Sequence, residues 1–304
     1  MSKGLLDPKV DFVFKNIFGS PNHPEILISF LNATLKAKKK IVNVDIKKTD
    51  IEKQYIEDKY SRLDVKATTS NDEIINIEIQ LKNENNMVKR SLYYLSKMYE
   101  EQLNEKEDYS KLVRTVCINI LNFKYLKTDN FHTGYRFKEI ESNEELTDIM
   151  EVHFIEIPKL QDSSDEKDML VAWTEFLKDP ESEKVRGLEL SIEEIRQAKD
   201  ELIRMSNDST QRELYDMRAN SLRDKMSELN AAERKGIEKG REEGREEGRK
   251  EGRKEGIEEG RKEGIEEGRK EEKIKIARNM KLSGLDTNTI AKITNLSEGE
   301  INKL

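Results

Sequence analysis

The chain has 304 residues, room for one large domain or two ordinary ones. Charged residues reach 38% against 35% apolar, with a mean hydropathy of −0.85, so a core can form only if the charge is concentrated elsewhere. One cysteine (Cys117) and three scattered histidines (His23, His132, His153) exclude a disulfide framework and a zinc cluster, leaving carboxylates to hold any metal. A net charge of −7 argues against non-specific coating of nucleic acid but leaves room for a local basic patch. Neither a long apolar run nor an apolar leader in Met1 to Asp11 is present, so no membrane span or secretory signal is expected, and a cytoplasmic protein is.

In chain order, Leu27, Ile28, Leu31 and Leu35 predict a helix over 24–36, and Ile41, Val42, Val44 and Ile46 a short strand. Two alternating strands follow at 61–69 and 74–82. Leu63, Val65 and Ala67 share one face of the first, and Ile75, Ile77, Ile79 and Leu81 one face of the second. Ser70, Asn71, Asp72 and Glu73 supply turn chemistry, so the two form a hairpin. Matching the apolar faces sets Asp64 opposite Glu78, with Gln80 and Lys82 further along the same polar face. A helix over about 86–105 carries Met87, Leu92, Leu95, Met98 and Leu103, and Val113 to Leu121 reads as a strand buried on both faces. Extended segments near 135–142 and 152–157 come next. Pro158 and the run Gln161 to Asp165 mark a boundary before a helical stretch, 166–230, with Trp173, Phe176 and Leu177 on one face.

The charge lies in the tail. Residues 236–272 hold nine glycines, one every fourth position from Gly236 to Gly268, with 14 Glu, 11 Lys or Arg and three Ile. Nine glycines cost a helix roughly 9 kcal/mol relative to alanine, which favours a flexible spacer. Pairs such as Glu258 with Lys262 favour a helix about 55 Å long whose glycines wind as a stripe that lets a second backbone approach. Self-association through this tail is the expectation. From Ile274 the apolar period returns, Gly284 stops it, Asp286 caps a short helix, and Ser297 with Glu300 forms a capping box for a last one. This reads as a miniature helix-turn-helix. Lys303 is the one basic residue on its last helix, which favours a packing cap over DNA contact. The organisation expected is 1–160, 161–230, 231–272 and 273–304.

Asp64 and Glu78 on adjacent strands suit Mg²⁺, with the Ile79 carbonyl as a third protein oxygen. Gln80 can orient water or phosphate but is no general base, and Lys82 can supply a cation. The bland alternative is a merely solvated hairpin face.

The residues Asp11 to Gly19 (DFVFKNIFG), then Asp64 with Glu78-Ile79-Gln80, and Arg90 with Tyr93 and Tyr94, resemble the Rpn family of recombination-promoting nucleases. These are often labelled transposases, within the PD-(D/E)XK superfamily. The likeness covers about residues 1–160, and the glycine-rich charged tail with its helical cap is similar too. It implies an α/β fold, a mixed sheet flanked by helices, and a DNA endonuclease dependent on Mg²⁺ or Mn²⁺. Asp64 and Glu78 are the implied metal ligands, to which the residue reading adds the Ile79 carbonyl, with Gln80 where the superfamily has lysine and Lys15 or Lys82 standing in. Asp11 is a further acidic group or a helix cap. Lys15, Lys36, Lys38, Lys39, Lys40, Lys47, Lys48, Lys89 and Arg90 are the candidate DNA contacts. A tail fragment begun at Met217 or Met226 is a possible self-derived partner, and a non-catalytic scaffold is the alternative function. Tyr93 and Tyr94 are adjacent, so they cannot share a helix face and one belongs to the core.

Overall fold

An unbroken apolar strand needs cover on both faces, and Thr115–Leu121 (β4) has it, with every residue buried. In the computed structural model, which describes residues 4–36, 39–47, 64–165 and 167–304, β4 lies inside a six-stranded mixed sheet. The other strands are β1 (Val44–Lys47), β2 (Val65–Thr69), β3 (Ile74–Gln80), β5 (His132–Lys138) and β6 (Glu145–Glu156). Their spatial order is β1-β2-β3-β4-β6-β5. β1, β2 and β3 run antiparallel, β4 is parallel to both β3 and β6, and β5 closes the far edge antiparallel. A parallel step requires a crossover, and helix α3 (Met87–Glu100) supplies it between β3 and β4.

The hairpin takes the register that burial dictates, with Val65 opposite Ile77 and Ala67 opposite Ile75. Its turn is closed by the Thr69 amide donating to the Glu73 carbonyl at 2.9 Å, with Asp72 in the left-handed region at φ 59°. Of the expected strand 61–69, residues 61–63, including Arg62 and Leu63, lie outside the described residues. The strand expected from Ile41 starts only at Val44. Asn32 takes the Ile41 amide and carbonyl at 2.9 and 2.8 Å, so they are not available to a ladder. The last extended segment is longer than expected, beginning at Glu145.

Both sheet faces are covered. Ile75, Ile77 and Ile79 of β3 share a core with α1 (Asp11–Phe18) and α2 (Pro24–Leu35). The helical stretch after residue 160 consists of α4 (Met169–Lys178), α5 (Glu183–Ser191), α6 (Glu193–Asn207) and the start of α7 (Ser209–Leu282). The expected break at 160 is not where the chain divides, because Trp173 packs edge-on against Phe18 at 5.3 Å and joins that same core. The first compact unit runs to Met226.

The second unit, Ser227–Leu304, holds the rest of α7 with α8 (Thr287–Thr294) and α9 (Glu298–Asn302). All nine tail glycines are helical, and a Cβ built at any of them meets nothing within 4 Å. Glu246 pairs with Lys250 at 2.8 Å and Glu258 with Lys262 at 3.0 Å across one turn, offsetting part of the glycine cost. Gly284 (φ 82°), the Asp286 cap and the Ser297–Glu300 capping box fall where the sequence predicts, around a small core of Ala277, Ile290, Leu296 and Ile301. Among the described residues no helix is long and apolar enough to cross a membrane.

Because Trp173 joins helices from both sides of residue 160, Trp173→Ala should destabilise the whole first unit by about 3–5 kcal/mol. Urea unfolding followed by circular dichroism should show one earlier transition; an unchanged midpoint, or loss of the later helices alone, would contradict a shared core.

Candidate active site

The β2–β3 ladder ends at Val65 opposite Ile77. Asp64, next before β2, turns its carboxylate into the position a further ladder acceptor would take, and its Oδ2 accepts from the Ile79 amide at 2.9 Å. On β3 the Ile74 amide and the Gln80 carbonyl bond toward the β4 side, so by alternation the Ile79 carbonyl faces the Asp64 side. Glu78 points from β3 toward α3 and is fully buried. Its Oε2 accepts from Arg90 Nε at 3.1 Å, and the Arg90 guanidinium lies over the Tyr94 ring at 5.2 Å. Among the described residues Glu78 Oε1 has no hydrogen-bond partner, and the Asn76 amide lies close without completing a bond to it.

α1 supplies the opposite wall. Lys15 Nζ stands 3.7 Å from Asp64 Oδ1, and one turn earlier Asp11 pairs with Arg218 of α7 at 3.2 Å. Asp11 is the first residue of α1 but makes no capping bond, since the N-cap is Val10. Asp11, Lys15, Asn16, Lys47, Asp64 and Arg218 line one cleft of about 550 Å³.

Burial raises the Asp64 pKa to about 6, against the opposing pull of the Ile79 amide and Lys15. Burial also raises that of Glu78 to about 7, with Arg90 opposing and the Asp64 charge adding to the rise. Two inward carboxylates, one acceptor oxygen without a partner and a neighbouring backbone carbonyl make an all-oxygen donor set, which fits a hard divalent cation. Among the described residues no group of three or more His, Cys, Asp or Glu gathers at one point. A cation here would therefore rest on Asp64, Glu78 and the Ile79 carbonyl, with water completing its shell.

The other sequence candidates fall as follows. Gln80 is half-buried at the end of β3, on the face of Glu78. Lys82 donates to the Met226 carbonyl at 3.3 Å. Arg90, read from the sequence as a DNA contact, is turned inward onto Glu78 because a buried carboxylate needs a cation beside it. Lys39, Lys40 and Lys89 are exposed, Lys36 pairs with Asp168 at 3.3 Å and Lys47 pairs with Asp45. Lys38 and Lys48 lie outside the described residues. Tyr94 is the core tyrosine and Tyr93 is half-exposed. The polar face of the hairpin is not a fully solvated one: Asn76 and Glu78 are buried, whereas Lys66, Thr68 and Gln80 are half-buried. Arg218 was not foreseen, because it joins the site from far along the chain and no local pattern marks it.

The raised pKa values have a thermodynamic sign. Unfolded, Asp64 and Glu78 lose their protons near 3.8 and 4.5; folded, they keep them to about 6 and 7, so the folded state binds more protons in between. Their contribution to stability is then lost as pH rises from about 4 to about 7. Relative to Glu78→Gln, the thermal midpoint of the metal-free wild type should fall over this range and recover on adding a divalent cation. Parallel pH profiles for the two proteins would contradict it.

The family model described as PD-(D/E)XK nuclease family transposase matches residues 8–232, which include every residue of this cleft. A second, described as the Rpn/YhgA-like nuclease family C-terminal HTH domain, matches residues 270–304, the end of α7 with α8 and α9. The terminal cap is thus a helix-turn-helix of that family. No curated protein and no solved structure matches the chain.

Proposed function

The chain belongs to the PD-(D/E)XK nuclease family transposases, and from that premise we propose that it is a DNA endonuclease dependent on Mg²⁺ or Mn²⁺. The observation that carries the reading is a pair of buried carboxylates whose charges act on one another, Asp64 bonded to the Ile79 amide at the edge of an open cleft and Glu78 on the preceding residue of β3. When bound, a divalent cation there supplies charge neutralisation at the phosphate and an activated water. Hydrolysis joins the oxygen of water to phosphorus, breaks one P–O bond and delivers a proton to the leaving oxygen.

The chain's own residues supply position and charge. Arg90 holds Glu78 in one orientation and favours its ionised form. The Ile79 amide fixes Asp64. Gln80, on the same face as Glu78, orients water or a phosphate oxygen and takes no proton at neutral pH. Lys15 stands at Asp64 inside the cleft, whereas Lys82 is bonded to the Met226 carbonyl, so Lys15 is the better placed to take the role of the superfamily's lysine. The exposed Lys39, Lys40 and Lys89 with the terminal helix-turn-helix serve DNA binding. The uncovered glycine stripe of α7 serves pairing of two chains, so that two sites meet the two strands of one duplex. A fragment begun at Met217 or Met226 retains that stripe and is a natural competitor for it. Catalysis and assembly both belong in the cytoplasm on this reading.

Supercoiled plasmid tests it. Wild type with Mg²⁺ or Mn²⁺ should nick or linearise the DNA, EDTA should stop it, and Asp64→Ala or Glu78→Ala should reduce the rate by at least about 100-fold. Lys15→Ala should cost about as much, and Lys82→Ala about tenfold at most. Equal rates in wild type and Asp64→Ala would place the activity elsewhere. Inactivity of every sample would favour a nuclease-like scaffold that assembles partners through its tail.

A further inference from the structure

Arg218 is the member of the cleft that neither the sequence pattern nor the metal chemistry explains. It lies on α7, and one of its nitrogens meets Asp11 Oδ2 at 3.2 Å. Its side chain is 61% exposed and that of Asp11 36%. An exposed single-point ion pair contributes little to stability, and a guanidinium carries five donors, of which this contact, among the described residues, engages only part of the fork.

The placement of Arg218 is nonetheless fixed from both sides. Upstream, Arg212 donates to the Gly4 carbonyl at 2.7 Å and to the Ser206 carbonyl at 3.0 Å, and the Tyr215 hydroxyl accepts from the Asp7 amide at 3.4 Å. Downstream, Lys82 holds the Met226 carbonyl. Asp11 and Lys15 are one turn apart on α1, so the pairs Arg218–Asp11 and Lys15–Asp64 lie side by side along one wall of the cleft. A guanidinium on an anchored stretch of helix beside Lys15 and Asp64, paired among the described residues with one exchangeable carboxylate, has the features of a phosphate-binding group.

We propose that Arg218 binds a backbone phosphate of the DNA strand that enters the cleft, and that Asp11 occupies it until that phosphate takes its place. The inference rests on the DNA-binding part of the function proposed above and makes α7 a wall of the substrate site as well as the start of the tail.

The two halves of the pair give opposite predictions. Were the contact purely structural, removing either partner would have the same effect. For an exchanged phosphate, Arg218→Ala weakens DNA binding whereas Asp11→Asn, which removes the competitor and a negative charge, tightens it. Full-length protein is titrated into a fluorescein-labelled DNA duplex in EDTA, where nothing is cut, at several salt concentrations. Arg218→Ala should weaken binding about 5- to 10-fold and lower the slope of log K against log salt by about one. Arg218→Lys should retain the slope, and Asp11→Asn should tighten binding several-fold. An unchanged slope in Arg218→Ala, or weakening by Asp11→Asn, would overturn the proposal while leaving the nuclease reading intact. Wild type that binds as described but cuts no plasmid would sink the nuclease reading and leave Arg218 in place. Wild type that binds no DNA would sink both.

Discussion

The first unit is organised around two carboxylates withheld from water. A buried charge is tolerated only with a partner, and each acid is answered by a different element. Glu78 on β3 is met by Arg90 from α3, while Asp64 before β2 is met by the Ile79 amide and by Lys15 from α1. The strands that hold them are in turn fixed by β4, which is buried throughout and paired on both sides. Rigid elements rather than loops therefore set the distances within the cleft.

The same constraint explains why the acids are poised rather than settled. The cations beside them, Lys15 and Arg90 for Asp64 and Arg90 for Glu78, do not cancel the cost of burial, so both titrate well above their ordinary range. A site with an unanswered cost of this kind binds a further positive charge more readily than a surface cluster of the same acids. Glu78 Oε1, which has no hydrogen-bond partner among the described residues, is the atom where that cost is most evident.

Much of this was legible in the sequence because it depends on periodicity. Alternation over Val65 to Ala67 and Ile75 to Ile79 fixes the hairpin register, which runs to Val65 opposite Ile77 and so brings Asp64 to the Glu78 end of β3. The caps at Asp286 and Ser297 were equally plain, since capping chemistry is local. What periodicity could not give was cover and reach. Met87, Ser91, Tyr94, Leu95 and Met98 form a buried stripe on α3, and Met87 and Leu95 pack with residues of β4 and β6; a stripe says that a helix buries a face, not which strands lie beneath it. Arg90 sits on the edge of that stripe and so reads as a surface cation. The core shared across residue 160 and the arrival of Arg218 are tertiary events with no local pattern. The tail was undecided by composition, because the glycine cost and the turn-spaced ion pairs oppose one another, and the structure has it as helix.

The proposed nuclease requires that Asp64 and Glu78 together bind a hard divalent cation. Calorimetric titration of Mn²⁺ into wild type, Asp64→Asn and Glu78→Gln at a pH near 8 tests it without requiring any substrate. The account predicts one site in the wild type, at least about tenfold weaker in either variant, with wild-type affinity falling as pH drops through about 7 and then about 6. Equal affinity in all three proteins, or no binding by the wild type at that pH, would contradict it.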